Sequence, residues 1–74
     1  MAKLDPNVKV SLRLDTASST VKYLGTAATG QSESAAAWSI KKLTKTGTVL
    51  AIEWADGNDS YDNVWANRAS LSYS

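Results

Sequence analysis

Val8-Lys9-Val10-Ser11-Leu12-Arg13-Leu14 alternates apolar and polar side chains without an error, and Asp15 continues the polar phase. A period of two is the repeat of a pleated strand, so Val8, Val10, Leu12 and Leu14 share one face while Lys9, Ser11, Arg13 and Asp15 share the other. The pattern predicts a half-buried antiparallel strand with its aliphatic face turned inward. Upstream, Pro6 biases Asp5 away from helix, and residues 1–7 read as an extended N-terminal arm.

Working outward, the polar segment Asp15–Ser19 reads as a connection, and Thr20 to Ala27 as a second strand with Val21, Tyr23 and Gly25 in phase. Gly25 inside that run implies a bulge or a close approach of another group to the backbone. Ser32 or Ser34 can cap a turn through Ala35–Ala37, but so few residues do not sustain a helix, and an extended loop feeding a third strand at Trp38–Leu43 is preferred. Trp38 and Ile40 agree in phase and Leu43 is one residue out, which predicts a bulge near Lys41 and Lys42. Gly47 provides a turn before a fourth strand, Thr48 to Ala55, with Leu50, Ile52 and Trp54 on one face. After Trp65 the pattern is double: Trp65 and Ala69 match a helical spacing, whereas Ala69, Leu71 and Tyr73 alternate with serines. A final strand preceded by a turn at Ala66–Arg68 is the reading adopted. The sum is one all-β domain over residues 1–74, an antiparallel barrel or sandwich of about five short strands.

With 74 residues, folding buries only about 60% of the surface that the unfolded chain exposes. Without Cys, the chain has neither disulfides nor thiolate metal sites, and without His it lacks the commonest zinc ligand and the usual neutral-pH base. Support from copies of itself or from a larger assembly is therefore expected. The net charge of +1 sets up no strong long-range field toward nucleic acid or membrane. No apolar run is longer than the four residues of Ala35–Trp38, far short of the ~20 residues of a spanning helix. No membrane partner is expected.

Trp54-Ala55-Asp56-Gly57-Asn58-Asp59-Ser60-Tyr61-Asp62-Asn63-Val64-Trp65 places a turn-forming centre between two indoles and reads as a pinned loop. Its oxygen-bearing cluster, Asp56, Asn58, Asp59 and Asp62, is of the kind that binds Ca²⁺, but counting from Asp56 the sixth and twelfth positions of an EF-hand loop hold Tyr61 and Asn67 instead of Gly and Glu. Local turn chemistry accounts for the cluster, and no metal or cofactor is expected. Glu53 with these aspartates lacks the cleft a glycosidase needs, and the serines have no His to activate them, so no catalytic residue is assigned.

Three Trp and three Tyr, with Lys9, Arg13, Lys22, Lys41, Lys42 and Lys45, offer stacking and phosphate chemistry. A barrel binding single-stranded nucleic acid is thus one alternative, and a carbohydrate-binding module another. Trp38 and Trp54 fall in phase with strand-core residues, and outward Lys and Arg are ordinary on soluble strands, so nucleic acid is the less favoured partner.

The segment Trp38-Ser39-Ile40-Lys41-Lys42-Leu43, followed by Ile52-Glu53 and the loop from Trp54 to Trp65 and onward to Tyr73, resembles small uncharacterised virion-associated proteins encoded among tailed-bacteriophage structural genes. Those proteins carry Trp-Ala-Asp-Gly-Asn, an aromatic residue, Asp-Asn and then Trp near the end. The resemblance spans residues 38–74 well and the first half loosely. It implies a non-enzymatic virion component, made in the host bacterial cytoplasm, that contacts other virion proteins and copies of itself as a decoration, adaptor or fibre-associated protein. It carries over no activity and no binding residue. From residue chemistry, Val8, Val10, Leu71 and Tyr73 are candidates for edge pairing, and Tyr61, Trp65 and Arg68 for interface anchors.

Overall fold

A computed structural model describes residues 10–74. The predicted N-terminal arm, and with it Val8 and Lys9, lies outside the described residues. Five strands follow in order: β1 (Val10–Asp15), β2 (Val21–Ala28), β3 (Ala36–Thr46), β4 (Val49–Trp54) and β5 (Asn63–Val64), then a 3-10 helix over Trp65–Ser70. The first four form an antiparallel meander in the order β1-β2-β3-β4, and β5 pairs with the first residues of β3. The domain is all-β and antiparallel, as the alternation predicts. The sheet does not close into a barrel: β1 and β4 are its two ends.

Each hairpin connection follows from local chemistry. Ser18 closes the β1–β2 connection, its Oγ accepting from the backbone N–H groups of Thr20 at 3.2 Å and Val21 at 3.0 Å. Between the paired residues Thr46 and Val49, Gly47 takes φ 62° as the first of two turn residues. That is the position where a type II′ turn requires Gly, and its twist suits the flanking strands.

Register assigns every strand residue to a face. Tyr23 lies opposite Lys42, Gly25 opposite Ile40, and Arg13 opposite Gly25, so these residues share one face with Trp38 and Ala27. The C-terminal segment crosses this face. Trp65 packs on Trp38 with ring centroids 5.9 Å apart, and Tyr73 on Tyr23 at 5.8 Å. Tyr23, Ala27, Trp38, Ile40, Ala55 and Trp65 form the buried core, with Val21, Leu71 and Tyr73 packed around it. Gly25 makes this possible by leaving the hollow that Trp65 fills, so of the two roles open to this glycine, close approach is the one realised.

Three expectations are corrected. The bulge predicted at Lys41 and Lys42 is absent, since pairing with β2 and β4 runs without a break through both residues; the irregularity lies between Ala36 and Trp38 on the β5 side. Leu43 needs no phase correction, because it lies on the opposite face from Trp38 and Ile40, beside Ile52. The turn expected at Ala66–Arg68 lengthens into the 3-10 helix, which takes Ala69 and Ser70 from the expected final strand, and what is left of that strand is a single bridge from Tyr73 to Ala55. The helical turn delivers Trp65 into the Gly25 hollow and Arg68 to Asp15, contacts that a strand would direct elsewhere. Lastly, the aliphatic face of β1 does not turn inward: Val10 is 38% exposed, Leu12 60% and Leu14 62%.

Candidate interaction surface

The second face of the sheet carries the alternate residues of all four long strands. Pairing brings Leu14, Leu24, Lys41 and Trp54 into one row and Lys22, Leu43 and Ile52 into the next. Leu12 lies beyond the first row, opposite Thr26, and Leu50 beyond the second, opposite Lys45. Leu50 and Ile52 are each 54% exposed, and Leu24 and Leu43 are half-buried. Four strands about 4.8 Å apart and six residues long at about 3.4 Å per residue give a footprint of roughly 20 by 20 Å. That is about the size of the largest apolar patch on a typical soluble monomer, a patch that is often functional.

Its charge is one-sided. Lys22, Lys41 and Lys45 lie on this face, and none of its strand residues is Asp or Glu: Asp15 and Glu53 fall in the opposite phase. The ammonium of Lys41 rests 4.7 Å from the Trp54 ring centroid, a cation–π contact across the strand pair.

The sequence-predicted site residues are divided by the fold. Val10 belongs to the uncovered face and to an edge strand. Trp65 is 4% exposed and serves the core. Arg68 is half-buried, donating from Nε to Asp15 Oδ2 at 2.9 Å and from Nη1 to the Trp65 carbonyl at 3.2 Å, with its guanidinium 4.6 Å from the Trp65 ring. Leu71 and Tyr73 pack on the core, and the backbone around them pairs within the chain: Asp56 N–H donates to the Ser72 carbonyl at 2.8 Å, and Trp54 N–H to that of Ser74 at 2.9 Å. Tyr61 is half-buried in the loop. Val8 lies outside the described residues.

The loop is tied down by its own backbone, with one indole in the core and the other on the uncovered face. Asp56 and Gly57 both take positive φ, 58° and 71°, and Asn58 Oδ1 accepts from the Ser60 N–H at 2.9 Å. Among the described residues no group of three or more His, Cys, Asp and Glu converges as metal ligands do. Trp38 donates its indole N–H to the Ser32 carbonyl at 2.9 Å and is wholly buried, so of the three indoles only Trp54 is placed for stacking on a ligand.

Leu12, Leu14, Leu24, Leu43, Leu50 and Ile52 are the surface residues that sequence reasoning missed as a set. Their one trace in the sequence was the phase break at Leu43, a pattern that a bulge and a strand apolar on both sides produce alike. The fold and surface define a small open antiparallel sheet, whose one face is packed over its centre by the C-terminal segment and whose other face is left open by the described residues. No family model, curated protein or solved structure matches the chain.

Proposed function

We propose that this protein is a non-enzymatic structural component of a bacteriophage particle that works through protein–protein contacts. The observation that carries the reading is the apolar face that the described residues leave uncovered, with Leu12, Leu14, Leu50 and Ile52 each more than half exposed. A small sheet gains most from a neighbour when one whole face is left for that neighbour to bury, and repetition in a particle supplies one at high local concentration. The likeness of residues 38–74 to virion-associated proteins of tailed bacteriophages supplies the setting. The protein joins the particle as a decoration, adaptor or fibre-associated subunit and is carried in the virion.

The test is reconstitution. Particles lacking the protein are mixed with the purified chain, re-isolated, and assayed for bound subunit. Stoichiometric binding is expected for the wild type, with loss in a Leu12→Ser, Ile52→Ser double variant. A wild-type chain that stays free in solution at every ratio rejects the proposal.

A further inference from the structure

The uncovered face has a pattern more specific than apolarity. Lys22 and Lys41 stand on the two central strands inside the aliphatic field, Lys22 directly opposite Leu43 and Lys41 directly opposite Leu24. Lys45 sits nearer the β3–β4 turn, opposite Leu50. Whatever covers this face must bury Leu14, Leu24, Leu43 and Ile52 and at the same time meet two ammonium groups set among them.

We infer that the occupant is a surface of another protein in which aliphatic side chains are interleaved with carboxylates, so that Asp or Glu residues reach Lys22 and Lys41 while Leu, Ile or Val residues cover the leucines between them. This rests on the assembly reading above and names the partner's chemistry. Burying an ammonium without a counter-charge is strongly unfavourable, and truncating one partner of a buried pair is costly for the same reason. A second copy laid face to face brings the same three lysines and no carboxylate from the strand residues of that face, so self-pairing concentrates like charge where water is excluded. An anionic membrane fits poorly as well. A face that enters the headgroup boundary carries its cations at the border of the apolar zone, where long side chains reach outward to phosphate. Here Lys41 lies across the Trp54 ring, within the field. A footprint of roughly 20 by 20 Å is small beside the ~800 Å² per partner of a standard interface, so charge pairing has a large share in selecting the partner.

Trp54 reports on this face, because it lies there and the other two indoles are buried. Three synthetic amphipathic helical peptides of equal length, each with a Leu stripe bordered by Glu, Gln or Lys, are titrated against the full chain while Trp fluorescence is followed at low and high salt. The Glu peptide is expected to bind about tenfold tighter than the Gln peptide at low salt, with the gap narrowing at high salt. A Lys22→Gln, Lys41→Gln double variant, checked for unchanged thermal melting, is expected to lose the preference while keeping the Gln-peptide affinity. Equal affinity of the wild type for the Glu and Gln peptides overturns the inference, and so does a preference that survives in the double variant. Tighter binding to phosphatidylglycerol vesicles than to the Glu peptide, or a stable dimer by sedimentation that occludes Trp54, overturns it too. A chain that joins particles without preferring the Glu peptide leaves the assembly reading standing and removes this one; a Glu-selective chain that never joins particles does the reverse.

Discussion

Gly25 lies so close beneath Trp65 that a Cβ on it would stand 2.5 Å from Cε3 and 2.7 Å from Cζ3 of the indole, with Cε3 of Trp38 at 3.2 Å. Both rings are buried and packed on each other, so neither can swing aside at low cost. The absence of one methyl group on β2 is what lets the 3-10 helix settle on the sheet.

Gly25→Ala is therefore expected to destabilise the fold by about 1–3 kcal/mol, the usual range for forcing extra volume into a packed site. Denaturant unfolding followed by Trp fluorescence measures it, and the native near-ultraviolet dichroism should change with it because Trp38 and Trp65 must shift. A variant as stable as the wild type would mean that the indole does not rest on this glycine.

The two faces should respond oppositely to truncation. Ile40→Ala removes a wholly buried side chain from the core and should cost about 2–5 kcal/mol. Leu12→Ser and Ile52→Ser remove side chains more than half exposed and should change the isolated chain's stability by less than about 1 kcal/mol while increasing its solubility. Thermal melts of the three variants give the comparison, and a large loss in Leu12→Ser would place that residue in a core.

Arg68 ties the C-terminal helix to β1, bonding Asp15 from 53 positions away in the chain while stacking on Trp65. The pair is about one-third exposed on each side. Its worth is thus that of a partly screened ion pair plus the packing of a planar cation on an indole. Arg68→Ala is expected to cost about 1–2 kcal/mol, and Arg68→Lys to recover less than half, since an ammonium reproduces neither the fork nor the stack. Full rescue by Lys in a urea titration would reduce the contact to simple charge.

Burial pushes the Tyr73 phenol up to about 12 from its ordinary 10.0, with the facing Tyr23 and Asp56 adding to the rise and Arg68 opposing it. Its hydroxyl donates to the Arg68 carbonyl at 2.7 Å. As pH climbs, the unfolded chain releases this proton near 10 and the folded chain only near 12. The stabilisation is fully present below pH 10 and declines across that interval. Phenolate absorbance should include a late-titrating component that disappears in Tyr73→Phe, and this variant should lose about 1 kcal/mol near neutral pH with the hydrogen bond. A late titration that persists in the variant would assign it to another tyrosine.

The alternation from Val10 to Leu14, the Val21–Tyr23–Gly25 phase, the Gly47 turn and the β3–β4 hairpin were all legible in the residues, because each depends on the two-residue pleat or on a local demand for positive φ. So was the exceptional standing of Gly25. Leu43 also carried its message, but a phase break is ambiguous: a bulge and a strand apolar on both faces write the same pattern. What the residues left open was which side of the sheet is covered. A pleat is symmetric about its own plane, so alternation sorts side chains into two sets without saying which set faces water. That choice was made by the segment after Val64, whose spacing suits helix and strand alike. It became a helix because Trp65 finds the hollow over Gly25 and Arg68 finds Asp15, contacts between residues distant in the chain that no local period encodes. Once Trp65, Leu71 and Tyr73 lie on the Trp38 side, Leu12, Leu14, Leu50 and Ile52 are left on the other, and the surface proposed here for a partner exists only as a consequence of that packing.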